Sequence, residues 1–69
     1  MNSNDIIIAI EHRITENRKT IMEYNKIIIE YSNADRDQGM TNSMIRYEEK
    51  VRGLIECNEQ LNSIKQIIE

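Results

Sequence analysis

The sequence predicts an all-α chain, an antiparallel two-helix hairpin of coiled-coil type that dimerises into a four-helix bundle. The first observation behind this is a heptad seam. Ile7, Ile10, Ile14, Asn17, Ile21, Tyr24, Ile28 and Tyr31 follow an unbroken 3-4-3-4 spacing. The second is a matching seam made by Met44, Tyr47, Val51, Leu54, Asn58, Leu61, Lys65 and Ile68. A repeat of seven keeps one side of a helix turned toward its neighbour. The third is complementarity between the two. When the chain doubles back, facing residue numbers sum to 75: Tyr31 meets Met44, Ile28 meets Tyr47, Tyr24 meets Val51, Ile21 meets Leu54, Ile14 meets Leu61 and Ile7 meets Ile68. Asn17, the polar interruption of the first seam, then faces Asn58, the first polar interruption of the second.

The elements follow in order along a single domain, residues 1–69. The first helix is expected over residues 4–33. Ser3 or Asn4 can cap it, because a short side-chain oxygen accepts from a free first-turn N–H. Asp5 places negative charge at the positive end of the helix dipole. The triplets Ile6-Ile7-Ile8 and Ile27-Ile28-Ile29 could be strand in isolation. Their recurrence at seven-residue intervals, with charged residues between, fits a helix and not the period of two a strand requires.

The turn is expected over residues 34–40, where the chain is polar and Gly39 is the natural position for a positive φ. The second helix follows over residues 41–68, with Thr41 as cap and Met40 and Ile45 at the positions of a hydrophobic staple. Gly53 interrupts its outer face. Beyond Leu54 a second apolar seam is open to the chain, through Cys57, Leu61, Ile64 and Ile68. It avoids Asn58 and Lys65 but needs one irregular step in the repeat.

Composition excludes several function classes. Twelve acidic against nine basic residues leave a net charge of −3. That sign disfavours nucleic-acid binding, whose affinity rests on phosphate neutralisation. No stretch approaches 18 uninterrupted apolar residues, so no spanning helix is expected. The first five residues lack the basic start of a secretory signal. Cys57 is the only cysteine and cannot form an intrachain disulfide. A reducing cytoplasm is the simplest setting.

Catalytic, metal and cofactor chemistry find no constellation. His12 is the only histidine and sits opposite the seam, without converging partners. Asp35 and Asp37 suggest a calcium loop, yet twelve-residue windows from Asn33 or Asp35 end at Met44 or Arg46, where the loop needs Glu. Cys57 lies mid-helix with no base beside it, and packing at a helix interface is the expected role. No enzyme, small-molecule substrate or cofactor is therefore expected.

A lone hairpin of this length buries little. Apolar burial and ordering entropy nearly cancel in chains so short. Yet Ile6, Ile27, Ile55, Cys57 and Ile64 flank the seam, and Ile8, Met22, Ile29, Ile45 and Ile67 lie further out. Flanking positions of a solvated two-stranded coil usually carry charge. The apolar arc is too wide for one neighbour, so the residues expected in the hairpin core and dimer are Ile7, Ile10, Ile14, Asn17, Ile21, Tyr24, Ile28, Val51, Leu54, Asn58, Leu61, Ile64 and Ile68. Contacts with a further protein are expected from Tyr31, Tyr47, Arg36, Asp37 and Met40 at the turn end, since exposed Tyr is enriched at binding hot spots.

In length and hairpin architecture the chain resembles small phosphatases of sporulation relays, type III secretion needle co-chaperones and compact phage-encoded inhibitors. The Ser-Gln-Glu-Leu-Asp signature of the first is absent, so its activity does not carry over. The functional expectation is a non-enzymatic interaction module of phage or mobile-element type that regulates or inhibits a larger protein. The alternative is a chaperone-like hairpin shielding an apolar helix of an export or assembly client. A structural or nucleic-acid-associated accessory role ranks third.

Overall fold

Isoleucine-rich heptads and the absence of proline leave little choice but helix, and helix is what forms. The computed structural model describes residues 2–35 and 37–69. It contains two helices, α1 (Ser3–Ser32) and α2 (Gln38–Ile68). They pack antiparallel as a rod of 51 × 15 × 15 Å.

Both helices start one cap earlier than the sequence suggests. Asn2, in extended conformation, caps α1, its Oδ1 accepting from the Asp5 N–H at 2.9 Å. Ser3 and Asn4, the expected caps, are already helical. At the turn Asp37 takes the capping role expected of Thr41. Its Oδ1 accepts from the Met40 N–H at 2.8 Å. Thr41 lies inside the first turn, where its hydroxyl donates to the Asp37 carbonyl at 3.1 Å. The carboxylate wins because it satisfies an orphan N–H and also brings charge to the positive end of the dipole.

Gly39 consequently sits within α2, and no described residue has a positive φ. Asn33, the C-cap of α1, has φ of −94° and ψ of −3°, which extend the helical path. Its N–H still donates to the Ile29 carbonyl at 3.1 Å.

The register follows the sum rule. Asn17 Nδ2 donates to Asn58 Oδ1 at 2.8 Å, and Asn58 Nδ2 reaches the Ile14 carbonyl at 3.4 Å. Lys65 bridges to Glu11 at 3.3 Å, one position from its facing residue Ile10. The regular seam is therefore the one used. Cys57 and Ile64, members of the irregular alternative, are exposed, whereas Asn58 and Lys65 are half-buried.

Burial is concentrated in α1. Ile10, Ile14 and Asn17 are buried, at 8, 6 and 7% exposure. No residue of α2 reaches that level. Burying an isoleucine fully is worth about 1.5–3 kcal/mol, so two such residues form a thin core. Gly53 is on the surface, and a Cβ there would meet nothing within 4 Å.

Candidate interaction surface

The seam holds a polar layer and an aromatic layer. In the polar layer each asparagine uses its amide on the other helix, and no buried side-chain N or O among the described residues lacks a partner. Asn17 Nδ2 also points at the Cys57 Sγ, 3.7 Å away. Cys57 is nonetheless exposed, so the expected burial of this thiol at a helix interface is not what the hairpin provides. Its sulfur lies at the edge of the seam.

The aromatic layer sits toward the turn. The Tyr24 and Tyr47 rings lie 5.2 Å apart and inclined at 55°. Tyr31 and Tyr47 are 6.3 Å apart at 48°. Tilted rings at such separations attract through their quadrupoles. Lys50 Nζ lies 5.7 Å from the Tyr24 ring centre and 5.4 Å from that of Tyr47, close enough for cation–π attraction. All three tyrosines are half-buried. Tyr47 thus reaches both rings of α1 from the position facing Ile28, a diagonal contact that pairwise layers do not express.

Of the other turn-end residues, Asp37 is occupied as the helix cap and Met40 is half-buried in the first turn of α2. Arg36 lies outside the described residues. Ile7, Ile21, Ile28, Val51, Leu54, Leu61 and Ile68 all lie half-buried along the seam. Ile64 does not join them.

Outside the seam the hairpin has two unlike long sides. Residues of one helix seven apart lie on one strip. Ile8, Met22 and Ile29 share the α1 strip of Thr15, and Ile55 shares the α2 strip of Asn62; Thr15 and Asn62 line one groove, so these residues, with Ile45 on the adjoining strip of α2, fall on one side. They are five of the seven large apolar residues left exposed among the described residues, with Met22 at 71%. The same side carries a polar groove lined by Glu11, Thr15, Arg18, Asn62 and Lys65 near the open end. The opposite side carries Cys57, Ile64 and Ile67.

Lys65 links seam and groove. Its stem runs along the apolar seam while its ammonium reaches Glu11 at 3.3 Å and Glu69 at 3.6 Å. The hydrogen bond it donates to the Glu11 carboxylate, with the charges of Glu11 and Glu69, raises its pKa above the ordinary lysine value. A lysine stem can line apolar surface in this way while its head stays wet.

Two features of this surface escape a heptad reading. Lys50 and Lys65 both look like ordinary charged residues. Yet Lys50 follows Tyr47 by three positions, and Lys65 faces Ile10 beside Glu11. Both spacings are visible once the register is known. Among the described residues no His, Cys, Asp and Glu are grouped to hold a metal ion, and no helix is long and apolar enough to cross a membrane. No protein-family model, curated protein or solved structure matches the chain.

Proposed function

We propose that this chain is a small non-enzymatic interaction module, a helical hairpin that dimerises into a four-helix bundle and regulates or inhibits a larger protein by binding it. The observation that carries this reading is surplus surface. A compact chain of 8.2 kDa exposes about 4,500 Å². This hairpin exposes 5302 Å². The difference of roughly 800 Å² is what each partner contributes to a standard-size protein interface. Ile8, Met22, Ile29, Ile45, Ile55, Ile64 and Ile67 are exposed on this surface, and large apolar patches mark interaction sites.

Dimerisation would cover one long side. The turn end, with Tyr31 and Tyr47, and the side carrying Cys57 and Ile67 would remain for a larger protein. The test is affinity capture from the native host with the wild type, Tyr47→Ala and Ile67→Glu. The reading expects a protein retained by the wild type and lost with at least one variant, with direct binding confirmed using the purified pair. Retention of the same proteins by all three would count against it.

The absence of any fully buried residue in α2 favours a second reading. In it α2 completes its burial only on a client, as in a chaperone-like hairpin. Circular dichroism separates the two. A client-dependent hairpin gains helix sharply when the client is added, whereas a dimer is fully helical alone at micromolar concentration.

A further inference from the structure

The two long sides and their borders carry enough chemistry to say how a second copy would sit. We infer that two hairpins pack through the side bearing Met22, Ile29, Ile45 and Ile55, side by side with both turns at the same end. This rests on the dimer proposed above and specifies its face and direction.

The choice of face follows from exposure. That side holds five of the seven exposed large apolar residues among those described. The other holds Ile64 and Ile67, both close to the open end.

Direction follows from two independent distributions. The first is apolarity along the rod. Of the five, Met22, Ile29 and Ile45 lie in the half nearer the turn, Ile55 lies at mid-rod, and Ile8 lies beyond the groove at the open end. The groove of Glu11, Thr15, Arg18, Asn62 and Lys65 occupies the other half. With turns together, apolar half meets apolar half and polar meets polar. With turns apart, the isoleucines would press on the ionic groove and strip water from Lys65 and Arg18, which is costly without new partners.

The second distribution is charge on the strips farthest from the seam, which become the outer rims of such a bundle. On α1 this strip carries Asp5, His12, Lys19 and Lys26; on α2 it carries Asn42, Glu49, Glu56 and Ser63. A two-fold axis parallel to the helices preserves height along the rod. Within one hairpin, residues at equal height sum to 75. The axis therefore brings Lys19 level with the partner's Glu56 and Lys26 level with the partner's Glu49, whatever the lateral fit. Both sums are 75. Lys19 now holds only Glu16, at 3.4 Å and well exposed, a weak contact it can share. With turns apart, the rims instead meet lysine to lysine and glutamate to glutamate, which is repulsive.

The test combines mass, distance and charge exchange on the full-length protein. Light scattering should give twice 8.2 kDa. A spin label on Asp35→Cys in a Cys57→Ser background should report an intermolecular distance of roughly 20 Å, given helices spaced at about 10 Å. A value near the 51 Å length of the rod with the doubled mass would overturn the direction and leave the dimer standing. Lys19→Glu with Lys26→Glu should raise the dimer dissociation constant roughly tenfold, four rim pairs changing sign. Adding Glu49→Lys and Glu56→Lys should restore it. A charge exchange without effect would overturn the rim pairing. Ile29→Glu should yield a helical monomer while Ile67→Glu stays dimeric; the reverse would overturn the face. Wild-type mass at 8.2 kDa up to millimolar concentration would overturn both this inference and the dimer itself.

Discussion

The half of the hairpin near its open end and the half near its turn solve the same burial problem differently. The open half places Ile10, Ile14 and Asn17 below a tenth exposure and carries an ionic groove on one side, with Ile8, Ile64 and Ile67 exposed around it. The turn half buries nothing to that degree. It fills the seam with three half-buried tyrosines and leaves Met22, Ile29 and Ile45 in water. The first half thus achieves within one chain a depth of burial that the second does not reach. Stability and association should therefore map to different ends of one rod.

The largest effect expected from this contrast comes from truncating each half in turn. Ile14→Ala should cost about 2–4 kcal/mol in urea unfolding at fixed protein concentration, since Ile14 is buried and a cavity remains. Ile28→Ala, at a half-buried seam position near the turn, should cost clearly less. Equal losses would erase the distinction.

Next comes the polar layer that closes the open half. Asn17→Ala leaves the Asn58 Oδ1 without its donor in a part-buried site and should cost about 1–3 kcal/mol. Replacing both with leucine should recover most of that, because the unsatisfied group is gone. The same change should loosen the register, which a buried asparagine pair otherwise specifies. Spectral broadening in NMR of the double variant would reveal it.

At the turn, Asp37→Ala should lower stability by about 1 kcal/mol through loss of the cap, and Asp37→Asn by much less. A smaller gain is expected from Gly53→Ala. The position is helical and open to solvent, so about 0.5–1 kcal/mol of stabilisation should appear as a higher denaturation midpoint. The subtlest effect belongs to Lys65. Its raised pKa means the folded form binds the proton more tightly than the unfolded chain. The associated stability is fully present below the ordinary lysine value and is lost as pH rises through the raised one. The stability difference between wild type and Glu11→Gln should accordingly hold to about pH 9 and shrink above about pH 10.5.

Much of the register was legible before any coordinates. The seams of Ile7–Tyr31 and Met44–Ile68 are long and regular, and two asparagines placed symmetrically about the turn could match in few ways. The Asn17–Asn58 bond at 2.8 Å follows from that arithmetic. Helix starts were less legible because several residues near each one can cap. Asn2 and Asp37 are each followed by other plausible caps, and competition among them is settled by a single hydrogen bond. Gly39 misled for a related reason. Glycine suits both a left-handed turn and the first turn of a helix, and only the position of the cap distinguishes them.

The surface was the least legible part. Periodicity shows which residues leave the seam, and Ile8, Met22, Ile29, Ile45 and Ile67 did so. It does not by itself show that Ile29 and Ile45 share a side while Ile67 lies opposite. That needs the handedness of both helices and their relative rotation. Lys19, Lys26, Glu49 and Glu56 look like a solvated face until the heights of the two helices are tied together.

A rod more than three times longer than wide also meets more drag than a sphere of its mass. On a gel-filtration column calibrated with globular standards, a single hairpin would elute early and imitate a larger particle. Stacking a second copy alongside doubles the mass while thickening the rod without lengthening it, so the shape correction shrinks as the particle grows. Sedimentation should therefore accelerate on association by more than elution volume would suggest.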